Sequence, residues 1–165
     1  MMKNRVCVYP GSFDPFTIGH YDVLLHAAEL FDTVYVSVLK NSSKTPVFSI
    51  EERVSMIERV VEETGLRNVR VTSFDGLLVD YASEISAEYI IRGLRAITDF
   101  EYEFQLDAVN RHLNGHVRTV YFMASPEHSF LSSSSVREIG SMHGDITGMV
   151  PACIHKSIAE RLENQ

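Results

Sequence analysis

Apolar residues along this chain come in two registers that take turns. Short runs at residues 5–9, 34–39, 69–74, 89–91 and 119–123 are nearly unbroken and rich in valine and isoleucine, as strands buried on both faces are. Between them the apolar positions recur at spacings of three and four. Residues 21–30 place Val23, Leu24, Ala27 and Ala28 on one helical face. Ser49-Ile50-Glu51-Glu52 has capping-box spacing and opens a helix carrying Val54, Ile57 and Val61, which Gly65 closes. Residues 77–85 and about 99–113 read as further helices, the second stopped by Asn114-Gly115, and two shorter helices begin near Ser134 and Pro151.

Strand and helix signals that alternate across short connections predict an α/β fold. It is a Rossmann-like, doubly wound sheet of five parallel strands with helices on both faces, formed as a single domain over residues 1–165. There is no internal repeat and no linker, and the one low-complexity patch is Ser132-Ser133-Ser134-Ser135. Composition agrees: 45% apolar and 22% charged residues are the proportions of a soluble globular protein.

The formal charge of −7 argues against nucleic acid, which needs a basic surface. It leaves room for a phosphorylated small molecule, provided a few cations gather in one cleft. Cys7 lies in an apolar run and Cys153 in an amphipathic stretch, so both read as small hydrophobes, with a disulfide between them left open. No apolar leader and no run of membrane-spanning length is present, so no membrane association and a cytoplasmic location are expected.

In open parallel sheets, ligands bind beyond the carboxyl ends of the strands, where the strand order reverses. Four segments after predicted strands are chemically unusual. The first, Tyr9-Pro10-Gly11-Ser12-Phe13-Asp14-Pro15-Phe16-Thr17-Ile18-Gly19-His20, leads from a strand into a helix that begins near Gly19-His20. Helix-terminal amides favour an anion, and an imidazole there can donate to the same phosphate. His20 alone could equally be a plain helix-start histidine. The second, Ile91-Arg92-Gly93-Leu94-Arg95, sets two guanidiniums about a glycine, a forked grip for phosphate oxygens; the plainer alternative pairs them with Asp99 and Glu101.

The third segment, Ser129 through Ser135 followed by Val136-Arg137, offers hydroxyls and amides at a helix start, or simply a redundant cap. The fourth, Lys40-Asn41-Ser42-Ser43-Lys44-Thr45-Pro46, puts lysines in a polar loop where they are ordinarily just solvated. Neither the dinucleotide glycine fingerprint nor a P-loop is present.

Gly-Ser-Phe-Asp-Pro followed by Thr-x-Gly-His resembles the signature of the nucleotidylyltransferase superfamily, whose members transfer a nucleotidyl group from a nucleoside triphosphate and release pyrophosphate. With Arg92-Gly93-Leu94-Arg95, then Asp99-Phe100-Glu101-Tyr102-Glu103, then Asn110-Arg111-His112, the chain is similar along essentially its whole length to the bacterial phosphopantetheine adenylyltransferases. The resemblance implies an enzyme that makes dephospho-coenzyme A and pyrophosphate from ATP and 4′-phosphopantetheine, a step of coenzyme A biosynthesis. It also implies Mg²⁺ held by phosphate oxygens without dedicated protein ligands, a homohexamer, and coenzyme A as a feedback ligand.

Carried onto this chain, the resemblance makes His20 the catalytic residue, acting on the α-phosphate. It assigns ATP to Ser12, Phe13, His20, Gly93, Leu94, Arg95 and Glu103 together with His128, Ser129, Phe130, Leu131, Ser132, Ser133 and Ser134. The acceptor falls to Ser12, Lys44, Leu78 and Arg92. Leu131 stands where the family motif has isoleucine, and Ser12 where the family has threonine or serine. Two alternatives stand beside this: a relative acting on nicotinamide mononucleotide, where His-x-Gly-His is usual and this chain has Thr17, and a non-catalytic nucleotide-binding protein of the same fold.

Overall fold

The computed structural model describes residues 4–40 and 45–164. Their backbone is organised by one sheet of parallel strands in the order β3-β2-β1-β4-β5. The strands are β1 (Val6–Gly11), β2 (Thr33–Leu39), β3 (Val69–Phe74), β4 (Tyr89–Leu94) and β5 (Arg118–Met123). The helices are α1 (Ile18–Leu30), α2 (Ile50–Thr64), α3 (Leu78–Glu84), α4 (Ile97–Leu113), α5 (Ser133–Ser141) and α6 (Ala152–Glu163), with a 3-10 turn at Pro126–His128. The chain builds outward from β1 to β3, returns to the other side of β1, and continues to β5. The reversal lies between β1 and β4.

Each strand shows one set of side chains to each helix layer. Cys7, Tyr9, Val34, Val36, Val38 and Ile91 join the large core with Val23, Leu24 and Ala27 of α1, Ile57 and Val60 of α2, Val136 of α5 and Ile154, Ile158 and Leu162 of α6. Val8 and Ile90 point the other way and pack with Ala82 of α3, Ala87 and Val117. Both faces are therefore covered, as the unbroken apolar runs require.

Local chemistry sets the helix ends. Ser49 and Glu52 exchange the reciprocal capping-box bonds, at 3.1 and 2.8 Å, and Gly65 closes α2 in the left-handed region at φ 68°. The buried face of α2 is turned slightly from the predicted one: Arg53, Met56, Ile57 and Val60 are buried while Val54 and Val61 lie at its margin. A buried arginine is invisible to a reading based on apolar spacing.

One difference bears directly on the site. The sequence pattern ends the fourth strand at Ile91, whereas β4 continues through Arg92 and Gly93 to Leu94. β5 pairs with it along that whole length, Arg92 opposite Tyr121 and Leu94 opposite Met123. On its other side β4 pairs with β1 only at Cys7–Tyr89 and Val8–Ile90, while β1 stays paired with β2 as far as Gly11–Val38. Past Val8 the two central strands part, and a cleft opens at the switch point.

Candidate active site

A cavity of about 620 Å³ occupies this cleft. Its floor is the end of β1, from Tyr9 to Gly11, and Arg92 and Gly93 of β4. The β1–α1 loop, Thr45 and Pro46, the first turns of α1 and α4, and the start of α5 form the walls.

His20 is held by its own helix. Thr17 is the N-cap of α1 and its hydroxyl accepts the His20 amide at 3.3 Å, while the Thr17 backbone N–H donates to His20 Nδ1 at 3.0 Å. This is a capping box with histidine in the place usually held by glutamate or glutamine. A backbone N–H can only donate, so Nδ1 is the acceptor and the neutral ring carries its proton on Nε2. Phe13 meets the imidazole edge-on at 5.1 Å and Phe16 lies 5.6 Å away at a tilt. Burial, and after it the charge of Arg95, pull the His20 pKa down to about 4. The cavity thus presents a neutral imidazole whose Nε2–H makes no hydrogen bond among the described residues.

Phe13 adopts a left-handed backbone, φ 48°, which folds its ring back over β1. A Cβ at Gly11 would stand 2.7 Å from that ring, so glycine is what permits the approach.

Arg92 grips Glu103 of α4 with two hydrogen bonds, 2.6 Å from Nε and 2.5 Å from Nη2, and its Nη1 reaches the Pro10 carbonyl at 3.4 Å across the gap between β1 and β4. Burial works against this guanidinium, but the hydrogen bond and charge of Glu103 more than offset it and raise the Arg92 pKa. Arg95 pairs with Asp99 at 3.4 Å and donates to the Leu131 carbonyl at 3.1 Å. The ion pairs contemplated for these arginines thus form in part, with Glu103 rather than Glu101 as the partner of Arg92. Both guanidiniums still line the cavity.

At the far wall Ser132 caps α5 in a reciprocal box with Ser135, Ser133 donates to the Pro15 carbonyl at 2.8 Å, and Ser134 accepts from Arg137 at 3.2 Å. His128 and residues 131–134 line the cavity, whereas Ser129 bonds back to Pro126 and Phe130 turns outward, 70% exposed. Ser12, Phe13, His20, Gly93, Arg95 and Glu103 line it too, and Leu94 does not, because its side chain is buried in the sheet. Leu78 packs at the first turn of α3 on the opposite face of the sheet, away from the cavity. Lys44 lies outside the described residues.

The cavity adds residues that the sequence reading left without a role. Asp14 and Arg137 stand inside the quoted motifs, and Thr17 precedes His20 at capping spacing, so each carried a signal. Arg53, which donates to the Ser12 carbonyl at 2.6 Å, carried none. Arg53, Arg92, Arg95 and Arg137 all line this one cleft, against Asp14, Asp99 and Glu103. An acidic chain has concentrated its cations where an anion would sit.

Cys7 is fully buried, its thiol pushed up to about 12 by burial, and Cys153 is partly buried on α6; both are free thiols. Among the described residues no helix is long and apolar enough to cross a membrane, and no three His, Cys, Asp or Glu side chains converge as a metal cage.

A switch-point cleft walled by helix termini and arginines, with a neutral imidazole at its centre, is the architecture of a nucleotidyl-transfer site. Comparison with known proteins agrees. Residues 8–139 match the cytidylyltransferase-like family. A phosphopantetheine adenylyltransferase of Lachnoclostridium phytofermentans is 50% identical over 157 residues, covering 95% of each chain. Among solved structures, a bifunctional NMN adenylyltransferase/ADP-ribose pyrophosphatase of Francisella tularensis superposes with TM-score 0.74 at 13% identity, over 99% of this chain and 51% of that one. A Vibrio parahaemolyticus protein provisionally described as a nicotinate-nucleotide adenylyltransferase gives TM-score 0.70 at 16% identity, over 98% and 93%. These two structures speak for the fold. The chain belongs to the phosphopantetheine adenylyltransferases, within the cytidylyltransferase-like family of nucleotidylyltransferases.

Proposed function

We propose that this enzyme transfers the adenylyl group of ATP to 4′-phosphopantetheine, giving dephospho-coenzyme A and pyrophosphate. The observation that carries the proposal is the position of His20: a hydrogen-bond donor fixed by Thr17 at the mouth of α1, in a cleft lined by arginines. An oxygen of the acceptor phosphate attacks the α-phosphorus in line and pyrophosphate leaves. The nucleophile is already anionic, so no strong general base is required, and the neutral ring would make a poor source of positive charge. Its role is to donate Nε2–H to the oxygen on which charge builds, at a position set before the substrates arrive.

Arg92 and Ser12 face the acceptor phosphate, and the family resemblance assigns Lys44 to the same phosphate. Arg95, Glu103, the Phe13 backbone and residues 131–134 face the nucleotide, with Arg137 beside the phosphates. Glu103 also fixes the Arg92 fork, which links the two half-sites.

The carboxylates of the cavity are occupied by arginines and backbone amides. That fits a Mg²⁺ ion held by phosphate oxygens and water rather than by a protein cage. When bound, the ion supplies charge neutralisation on the departing pyrophosphate. A cytoplasmic location and coenzyme A as a feedback ligand belong to the same reading, since product and acceptor share the pantetheine arm.

Assembly as a homohexamer is supported by α4. Phe100 and Phe104, one turn apart, stand 44% and 58% exposed, and Val109 and Leu113 are half-exposed on the other side of the helix, while Glu103 and Asp107 are buried among the described side chains. Asp107 pairs with Arg111 through Oδ2 at 2.9 Å, while its buried Oδ1 has no hydrogen-bond partner among the described residues.

The deciding assay compares pyrophosphate release from ATP with 4′-phosphopantetheine and with nicotinamide mononucleotide. Release with the first acceptor alone is expected. Release with the second alone would transfer the chain to the rival substrate class, and ATP binding without release would make it a non-catalytic relative.

A further inference from the structure

Asp14 is an anomaly in a cavity that receives phosphates, because a buried carboxylate there opposes the ligand's own charge. It is 7% exposed, and both of its oxygens are engaged. Oδ1 accepts the Phe48 N–H at 2.9 Å and Oδ2 the Val47 N–H at 3.0 Å. Those amides lie before α2 and outside the sheet ladder, so Asp14 is what satisfies them. Arg137 of α5 comes within 3.7 Å of Oδ2 and donates to the Asp14 carbonyl. Three segments remote in sequence therefore meet on one residue: the β1–α1 loop, Val47-Phe48 and the middle of α5.

The geometry points to Asp14 as a positioning residue for the acceptor half of the site. Through the Val47 and Phe48 amides it holds Thr45 and Pro46, which line the cavity, in fixed relation to Ser12 and so sets acceptor affinity without touching substrate. The inference rests on the acceptor reading given above. The nucleotide half depends on Asp14 mainly through its backbone carbonyl, which a side-chain substitution leaves in place.

The test is steady-state kinetics of Asp14→Asn and Val47→Pro in the full-length enzyme. Asparagine keeps the shape and one acceptor oxygen, but sets an NH₂ group against the other backbone N–H. Val47→Pro removes that N–H from the opposite side and leaves Asp14 intact. Each variant is expected to raise KM for 4′-phosphopantetheine about tenfold, while KM for ATP and kcat stay within about threefold. The double variant should be no worse than the poorer single one, because both break the same bond.

Equal rises in both KM values, a loss confined to kcat, or additive effects in the double variant would each overturn the inference. Should Asp14→Asn fail to fold, the KM split in Val47→Pro decides alone. A parent enzyme inactive with 4′-phosphopantetheine would overturn the acceptor reading itself, before any variant is compared.

Discussion

Because the Thr17 amide occupies Nδ1, the His20 ring is both oriented and restricted to one neutral tautomer, and burial keeps it neutral. Removing the imidazole should lower turnover about 10²–10³-fold in His20→Ala, the scale of losing one preorganised donor. The check is kcat at saturating ATP and acceptor, and a folded variant that turns over at the parent rate would remove His20 from the mechanism. The same substitution leaves the Thr17 N–H without its partner, so a stability loss of about 1 kcal/mol should accompany it.

The pH behaviour follows from the depressed pKa. Folded His20 titrates near 4 and an unperturbed histidine near 6.5, so between these values the unfolded chain binds the extra proton. Its contribution to stability is complete above 6.5 and is lost as pH falls toward 4. Thermal melts of the parent should therefore drop more steeply through that window than those of His20→Ala. For catalysis the expected signature is the absence of a kcat limb near 6.5. A kcat that fell as pH rose through that region, and lost this dependence in His20→Gln, would show that the ring works as an acid instead.

At the scale of elements, the site exists because β1 and β4 separate after two paired positions, and because Phe13 folds back across the end of β1. Phe13 touches the rings of Tyr9, Phe16 and His20, so it has little freedom to retreat. Gly11→Ala should therefore cost about 1–3 kcal/mol, the range of overpacking in a filled core, and should displace His20 enough to depress kcat. Denaturant titration and turnover on the same preparation test it; a variant with parental stability would mean the ring moves freely. The strand and helix order was legible from periodicity, since each run is buried on both faces or amphipathic. The extension of β4 through Arg92 was not, because an arginine and a glycine break the apolar run while backbone pairing with β5 continues.

For the whole molecule, α4 buries two carboxylates, Glu103 and Asp107, and leaves Phe100 and Phe104 exposed. Glu103 is drawn in by Arg92, and Phe100 and Phe104 are left facing out, 5.8 Å apart. The proposed hexamer is tested by Phe104→Glu, which should lower the particle mass by light scattering while circular dichroism shows each chain still folded. Unchanged particle mass would remove α4 from the interface. Net charge alone pointed away from nucleic acid and left room for a phosphorylated ligand only where cations gather, and Arg53, Arg92, Arg95 and Arg137 gather in this one cleft.

The sequence by itself determined the order of elements, the parallel sheet, and the chemistry gathered at the carboxyl ends of β1 and β4. Those depend on local periodicity, capping and turn residues, which act between near neighbours. Only the tertiary structure decided that Arg92 spends its fork on Glu103, that Arg53 reaches Ser12, that Leu78 lies away from the cavity, and that Asp14 ties three segments together. Such contacts join residues far apart in the chain, where no local pattern records which partner a buried charge will find.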